Sequence, residues 1–283
     1  SAELDVARAE LSAAGTTVAT AVCDVRDGAS VTAAVARVTA ELGPIDALFN
    51  VAGVIEVGPV DALSIDDYRD AIETNYLGAV RLVEAVRPTM QERGAGRITN
   101  IASLGGRIPV PHLLPYSASK FAMLGYSEGL HAELARYGIA VTTIVPGLMR
   151  TGSPPQATFA GQPKKEYAMF APMDALPFTS ISVEKAARQI VAASARRDAE
   201  AVISWQAHLA VAAYRIAPKL IVALLANGTR LLPDAGGSTQ HLFGHESETA
   251  FTRSPITKLS REATHTQHED VDRRATQTGT GGA

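Results

Sequence analysis

The chain has 283 residues, of which 46% are hydrophobic and 19% charged, and its formal net charge is −3. This balance is typical of a globular protein, and it excludes a disordered chain, a collagen-like fibre and a strongly basic nucleic-acid binder. Cys23 is the only cysteine, which excludes an intrachain disulfide and a cysteine-based zinc cluster. We therefore predict a reducing, cytoplasmic location and no metal site.

The N-terminal residues indicate how the chain begins. Residues 1–15 alternate alanine with charged residues, so we predict no signal peptide. The chain opens at Ser1 inside a segment whose spacing predicts a helix ending near Gly15. We therefore expect a processed product or part of a longer chain. Near the C-terminus, the apolar stretch Leu220 to Ala226 is far shorter than the roughly 18 residues of a membrane span, so we predict no transmembrane segment.

Short apolar runs alternate with helical periodicity along the first two thirds of the chain. A helix capped by Ser30 and closed by Gly43 is the first after the N-terminal one. Strands alternating with long helices imply a parallel sheet with helices on both faces, a three-layer α/β/α fold. Strands are predicted at 17–22, 47–51, 97–102, 139–145 and 200–204, and further helices at 64–92, 115–137 and 183–197.

Composition changes after residue 151. Residues 152–180 are rich in proline and lack periodicity, which predicts a long loop or a lid with short helices. Residues 205–234 form an apolar helical extension interrupted by Pro218. The polar residues 235–283 predict a flexible tail, with the last roughly 30 residues poorly ordered. We expect the catalytic domain to cover 1–204.

Tyr116 and Lys120 stand four residues apart on one predicted helix, so their side chains share a face. A nearby ammonium group favours the phenolate and lowers the pKa of a tyrosine by roughly 1–3 units. The pair is therefore a workable general acid and base near neutral pH. An exposed helix pair is the alternative for this pattern taken alone.

Small and polar residues follow the predicted strands. The carboxyl ends of parallel strands meet at one edge, where an open sheet of this type binds its ligand. Ser103 follows one strand, and its hydroxyl could hold a carbonyl oxygen while Tyr116 exchanges a proton with it. The other residues at these strand ends are Asn50, Ala52, Gly53, Pro146, Gly147 and Thr151.

Taken together, these residues resemble the short-chain dehydrogenase/reductase family. The resemblance extends from residue 1 to about 204. It is carried by Asp24-Val25, Asn50-Val51-Ala52-Gly53, Asn75, Ser103, Tyr116-x-x-x-Lys120 and Pro146-Gly147, in the family's order and spacing.

The resemblance implies a Rossmann-type, doubly wound sheet and an NAD- or NADP-dependent oxidoreductase. It assigns the acid/base role to Tyr116, and it gives Lys120 both the lowering of that pKa and a hydrogen bond to the nicotinamide ribose. Ser103 would orient the substrate oxygen, and Asn75 would hold a water that links Lys120 to solvent. The cofactor residues that it implies are Asp24 and Val25 at the adenine, Asn50, Ala52 and Gly53 along the cleft, and Pro146, Gly147 and Thr151 at the nicotinamide end.

Two departures from the family pattern stand out. Val51 replaces the second asparagine of the usual tetrapeptide, a mild change. The family's opening strand, Gly-rich turn, helix and second strand have no counterpart in the sequence. The two strands would lie between the strands at 17–22 and 47–51, so we expect an unpaired edge there and weak or no dinucleotide binding by these 283 residues.

Other residues have less specific interpretations. Cys23 is interpreted as a small buried residue rather than a reactive thiol. We interpret His241, His245, His265 and His268 as solvated rather than metal-binding. Tyr126 and Tyr137 are interpreted as packing or interface residues. The apolar stripe of the extension leaves three roles open, namely a roof over the substrate pocket, a dimer contact or a peripheral membrane patch; it comprises Leu209, Tyr214, Ile216, Leu220, Val222 and Leu225.

The leading hypothesis is interconversion of an alcohol and a ketone or aldehyde, with hydride transfer to or from a nicotinamide. The apolar lid and extension favour a hydrophobic small-molecule substrate. The helices at 64–92 and 115–137 match those that pair subunits in the family, which predicts a homodimer or homotetramer. The rival hypothesis is a non-catalytic chain that serves only as a binding or oligomerisation module.

Overall fold

The protein is described from a computed structural model, in which residues 2–175 and 180–252 are described. Its central sheet has four parallel strands in the order β1-β3-β4-β8. A second sheet has the order β2-β6-β9, and β5 pairs with β7. The strands are β1 Ala47–Asn50, β2 Glu56–Val57, β3 Gly96–Ile101, β4 Ile139–Pro146, β5 Leu148–Arg150, β6 Thr158–Ala160, β7 Ser180–Ser182, β8 Glu200–Ile203 and β9 His241–Phe243.

Helices connect the strands and cover the central sheet. They are α1 Ala2–Ala13, α2 Gly28–Leu42, α3 Ile65–Ile72, α4 Gly78–Arg93, α5 Leu114–Leu134, α6 Ser153–Gln156, α7 Pro163–Ala175, α8 Val183–Arg196, α9 Trp205–Ile216 and α10 Pro218–Gly228. A turn of π-helix, Glu73–Leu77, joins α3 to α4. The helix predicted over 64–92 is therefore three pieces, and the one over 115–137 is α5 followed by a 3₁₀ turn, Ala135–Tyr137.

Both faces of the central sheet are buried under helices. Val141 of β4 packs with Val83 and Met90 of α4 on one face. Ile144 of the same strand packs with Ala186 and Ala193 of α8 on the other. Residues three apart on a strand point to opposite faces, so these two clusters establish the predicted three-layer arrangement.

The predicted strand at 17–22 is wrong. Residues 16–24 are irregular and run from half-buried to exposed, and Cys23 is half-buried rather than buried. A strand forms only where a neighbour accepts and donates its backbone hydrogen bonds. Within the described ranges β1 pairs with β3 alone, so the central sheet ends at β1. The sequence pattern for a strand is present at 17–22, but no described segment lies beside it to pair with it.

The start of α2 also differs from the prediction. Asp27, not Ser30, caps the helix, because its carboxylate accepts hydrogen bonds from the backbone N–H of Ala29 at 3.0 Å and of Ser30 at 3.2 Å. The Ser30 hydroxyl instead accepts from the N–H of Asp24 at 3.0 Å. Gly43, with φ +89°, ends the helix as predicted.

The segment predicted as a lid is built on the second sheet. β6 pairs in parallel with β2 and antiparallel with β9. Phe159 of β6 is fully buried, with its ring edge-on to Tyr167 at 5.3 Å and to Phe170 at 5.8 Å, both on α7. We call residues 153–175 together with β9 the lid. Within the polar tail predicted from residue 235, residues 241–243 form β9 and pair with β6. Residues 253–283, including His265 and His268, lie outside the described residues.

The extension forms two helices, α9 and α10, that meet at Pro218 as predicted. Within the described residues, no single helix is long and apolar enough to cross a membrane. The segments Trp205–Ile216 and Pro218–Leu231 satisfy the criteria of length and composition only when taken together, and they are bent by 112°.

Candidate active site

Tyr116 and Lys120 lie on the first turns of α5, above the end of β3. Lys120 is buried, and its Nζ donates a hydrogen bond to the carbonyl of Ile101 at 2.9 Å and lies 5.7 Å from the centre of the Tyr116 ring. Burial lowers the pKa of Lys120 to about 8, because a charged amine loses solvation there. The spacing of four residues thus places the two side chains together, as the sequence predicts.

Ser103 follows β3 and faces the same ring. Its Oγ accepts a hydrogen bond from the N–H of Gly105 at 3.0 Å. A Cβ at Gly105 would lie 3.3 Å from Cε1 of Tyr116 and 3.5 Å from Oγ of Ser103. Both side chains therefore border one small space that only a residue without a side chain leaves open.

Asn75 connects this cluster to the loop after β1. It is buried in the π-helical turn, a feature that often occurs at functional sites. Its Oδ1 accepts from the N–H of Val54 at 2.7 Å, and its Nδ2 donates to the carbonyl of Val54 at 3.0 Å and to Oγ of Ser119 at 2.9 Å. The Ser119 hydroxyl in turn donates to the carbonyl of Tyr116 at 2.8 Å. The turn, the loop and α5 are thus held as one unit.

The loop after β1 approaches Lys120 through Gly53. A Cβ at Gly53 would lie 2.9 Å from Oδ1 of Asn75 and 3.7 Å from Nζ of Lys120. Ala52 beside it is exposed, as is Val51. Asn50 is buried at the end of β1, where its Nδ2 donates to Oδ1 of Asn100 at 2.8 Å. Its own Oδ1 is buried and has no hydrogen-bond partner among the described residues.

The residues predicted for the nicotinamide end follow β4, near the start of α9. A Cβ at Gly147 would lie 2.8 Å from Oγ of Ser204, which caps α9. Pro146 is the final, buried residue of β4. The Thr151 hydroxyl donates to Oγ of Ser153 at 2.8 Å, at the entry to the lid. Pro146 and Gly147 therefore lie at the predicted edge, and Thr151 contacts the lid.

The residues predicted for the adenine end lie apart from this cluster, in the turn before α2. Asp24 is exposed and accepts hydrogen bonds from the side chain of Arg26, which lower the pKa of the carboxyl. Val25 packs against Gly78, where a Cβ would lie 2.7 Å from Cγ2 of Val25. Gly78 begins α4, three residues after Asn75. The turn is thus joined to the site through the start of α4.

Sequence reasoning missed a hydrogen-bond contact to a buried carboxyl that ties the lid to the loop before Tyr116. Nδ1 of His112 lies 2.9 Å from Oε1 of Glu166 on α7, and Glu166 is buried. The carbonyl of His112 accepts from the N–H of Gly58 at 2.7 Å. The partners are 54 residues apart, so the only sequence signal was the position of His112 between Ser103 and Tyr116.

A second missed residue is Glu56 on β2. It is buried, and its Oε2 has no hydrogen-bond partner among the described residues. Burial, with smaller contributions from the negative charges of Asp67 and Asp70, raises the pKa of Glu56 to about 8.

In the described part of the chain, no three His, Cys, Asp or Glu residues are grouped as metal ligands. His241 pairs with Asp67, and Nδ1 of His245 lies 3.1 Å from the carbonyl oxygen of Pro155.

Comparison with known proteins identifies the family. The family model described as short chain dehydrogenase matches residues 1–158, which is more than half of the chain. The chain belongs to the short-chain dehydrogenase family. It is therefore an oxidoreductase by family, and the resemblance on which the sequence prediction rested is confirmed.

Individual members of the short-chain dehydrogenase family agree with this assignment. The chain is 40% identical over 129 residues to D-threitol dehydrogenase of Mycolicibacterium smegmatis, covering 46% of this chain and 50% of that protein. It is 38% identical over 131 residues to 3-ketodihydrosphingosine reductase of Bacteroides thetaiotaomicron, covering 46% of this chain and 49% of that protein. The chain thus spans about half the length of these curated relatives.

Solved structures confirm the Rossmann-type fold. A short-chain dehydrogenase from Streptomyces avermitilis superimposes with a TM-score of 0.65 and 30% identity over 80% of this chain and 84% of that chain. The actinorhodin polyketide ketoreductase with NADPH has a TM-score of 0.50 and 41% identity, over 52% of this chain and 57% of that chain. An NAD⁺-bound xylitol dehydrogenase also has a TM-score of 0.50, with 35% identity, over 52% of this chain and 56% of that chain.

Proposed function

We propose that the protein interconverts an alcohol and a ketone or aldehyde, with NAD or NADP as the redox partner. The observation that carries the proposal is the convergence of Ser103 and Tyr116 on the space beside Gly105, with the buried Nζ of Lys120 5.7 Å from the centre of the tyrosine ring. The relatives with bound NADPH and NAD⁺ support the choice of cofactor class. They leave the preference between the two open.

Tyr116 is the proposed acid and base. In the reductive direction its phenol gives a proton to the carbonyl oxygen, and in the oxidative direction the phenolate takes the proton of the alcohol. Lys120 stabilises the phenolate, since a cation within several ångströms favours the charged form. Its pKa of about 8 leaves the amine mostly protonated at neutral pH.

Ser103 is the proposed group that orients the substrate oxygen. Its hydroxyl can donate to that oxygen while it continues to accept from the N–H of Gly105. A donor fixed in this way is worth more than a solvent hydroxyl, because it needs no reorganisation during the reaction. Asn75 holds the loop and α5 in register, so it is proposed as a positioning residue.

The residues present fit the nicotinamide-ribose end of a dinucleotide. A Cβ at Gly53 would lie 3.7 Å from Nζ of Lys120, so the absence of that side chain leaves room beside the amine. A sugar hydroxyl can accept a hydrogen bond from that amine. When bound, the nicotinamide accepts or supplies the hydride. We propose that Gly53, Pro146 and Gly147 line this end and that Asp24 and Val25 lie at the adenine. The 283 residues contain no Thr-Gly-x-x-x-Gly-x-Gly sequence for the pyrophosphate.

A hydrophobic substrate remains the proposed class. α7 of the lid carries Met169 and Met173 on its exposed side, and methionine adapts to apolar ligands of varied shape.

We propose a cytoplasmic homodimer or homotetramer that pairs through α4 and α5, the helices that the family uses for this contact.

The test is the matched pair Tyr116→Phe and Tyr137→Phe, in the protein expressed from the start codon of its gene. Turnover of a panel of apolar alcohols and ketones is followed by the absorbance of reduced nicotinamide. Removing the Tyr116 hydroxyl should lower turnover by a factor of about 10²–10⁴, whereas Tyr137→Phe should leave it unchanged. Equal activity of the two variants would refute the role of Tyr116.

A further inference from the structure

We infer that α10 is a docking surface for an anionic lipid bilayer. This helix is mainly apolar, with the sequence Pro-Lys-Leu-Ile-Val-Ala-Leu-Leu-Ala-Asn-Gly, in which Lys219 and Asn227 are the only polar side chains. A helix of this composition is normally buried, either in a protein core or in a membrane. Within the described part of the chain, none of its residues is buried.

The exposed apolar side chains are large and continue past the helix end. Leu220 is 58% exposed, Leu224 57% and Leu231 82%. A contiguous apolar patch of this kind indicates an interaction site rather than an ordinary surface.

The charges around α10 indicate what binds to this surface. Residues 205–232 include no Asp or Glu, whereas Lys219 and Arg230 flank α10 at its two ends. Neither cation forms an ion pair among the described residues, while Arg215 pairs with Glu200 at 3.4 Å. A second copy packed along α10 in either direction would bring like charges together. An anionic headgroup layer attracts such cations, while the apolar side chains enter the acyl region.

The length of the helices argues for docking on the surface of the membrane. α9 has 12 residues and α10 has 11, which at 1.5 Å per residue is about 18 and 17 Å. The hydrocarbon core of a bilayer is about 30 Å thick. With the bend of 112° between them, the pair fits within one leaflet better than across two.

The docking surface is connected directly to the candidate site. Ser204, which caps α9, and Ala207 in its first turn pack against Gly147, the residue after β4. On the proposed function, an enzyme held in this way would take an apolar alcohol or ketone from the membrane. The docking itself does not rest on that function, because vesicle binding is measured without substrate.

The test is flotation of the 283-residue chain with phosphatidylcholine vesicles and with vesicles that also contain phosphatidylglycerol. We expect binding only to the anionic vesicles. The double variant Lys219→Glu/Arg230→Glu should weaken binding by about tenfold or more. The control, Lys185→Glu/Arg188→Glu on the exposed side of α8, makes the same change in net charge and should bind as the wild type does.

The apolar contribution is tested by Leu220→Gln/Leu224→Gln against Ile65→Gln/Val191→Gln, which alters two exposed apolar residues elsewhere. Since α10 has no buried residue in the described structure, circular dichroism should show unchanged folding. Trp205, the only tryptophan and 68% exposed, should shift its emission to shorter wavelength on anionic vesicles, except in the α10 variants. Two results would overturn the inference: equal vesicle binding by the α10 and control variants, or no vesicle binding together with an oligomer that the α10 variants dissociate.

Discussion

Nδ1 of His112 and the carboxylate of Glu166 meet at 2.9 Å inside the protein. One residue lies in the loop before the proposed catalytic Tyr116 and the other on α7, so the contact fastens the lid to the loop. The N–H of Gly58 donates to the carbonyl of His112, which extends the link to β2.

His112 and Glu166 should contribute jointly to the free energy of unfolding. Breaking a buried hydrogen bond to a charged group costs about 1–3 kcal/mol, because the remaining group is left without a partner. We therefore expect Glu166→Gln and His112→Asn each to lower the free energy of unfolding, and the double variant to lose less than the sum. Urea unfolding measures this coupling. Lys164→Gln, on an exposed position of the same helix, should have little effect, and additive losses would contradict the link.

Gly106 allows α5 to pack against the end of β3. A Cβ at this position would lie 2.6 Å from the carbonyl oxygen of Lys120, which is backbone and cannot move aside. We expect Gly106→Ala to destabilise the protein by about 1–3 kcal/mol and to displace Lys120, so that turnover also falls. Gly125→Ala on α5 is the control, since no atom outside the neighbouring backbone of that helix lies within 4 Å of its Cβ position. That change should stabilise the helix by about 0.5–1 kcal/mol. Thermal unfolding distinguishes the two, and an equally stable Gly106→Ala protein would contradict the packing argument.

Glu56 should make stability depend on pH. Its pKa is raised by burial from 4.5 in an open chain to about 8 in the fold, so the folded protein keeps a proton that the unfolded chain has lost. The contribution of Glu56 to the free energy of unfolding should therefore be fully present below pH 4.5, and it should be lost as the pH rises through 8.

The variant Glu56→Gln removes that titration. It should be more stable than the wild type by about 1–3 kcal/mol above pH 8, and the advantage should vanish in acid. Urea midpoints measured across this pH range test the sign. Glu92→Gln, exposed on α4, provides the comparison. A wild type and a Glu56→Gln variant with parallel pH profiles would show that the pKa of the carboxyl is the same in the folded and the unfolded protein.

We predict that these 283 residues bind a dinucleotide weakly or not at all. The central sheet ends at β1, the buried Oδ1 of Asn50 has no partner among the described residues, and the sequence contains no Gly-rich phosphate-binding turn. A helix N-terminus with such a turn is what binds a pyrophosphate in this fold. We therefore expect weak or no binding of NADH and NADPH by these residues alone. Calorimetric titration checks this, and micromolar affinity would contradict it.

The nucleotide sequence upstream of the Ser1 codon, read in frame, separates the two functional hypotheses. A start codon followed by a strand and a Thr-Gly-x-x-x-Gly-x-Gly turn is the result expected for a working dehydrogenase. A stop codon with a start close to Ser1 would instead favour the binding-module hypothesis. The dinucleotide affinity and the upstream nucleotide sequence are measured independently, so each result can be compared with the other.

Much of the site could be predicted from the sequence because its spacing is local. Tyr116 and Lys120 share a face of α5 through the helical repeat alone, and Ser103 follows β3 because the apolar run ends there. The alternation of strands and helices likewise determined the central sheet. Each of these features depends on residues close together in the chain.

Only the tertiary structure decided which segments find partners. Residues 17–22 have the composition of a strand, yet they remain irregular because no described strand lies beside them. His241–Phe243, in a polar stretch, becomes β9 because β6 is there to pair with it. The same holds for the burial of Glu56 and for the contact between His112 and Glu166, 54 residues apart. Backbone pairing and desolvation depend on what the rest of the fold places next to a residue, and a local pattern does not contain that information.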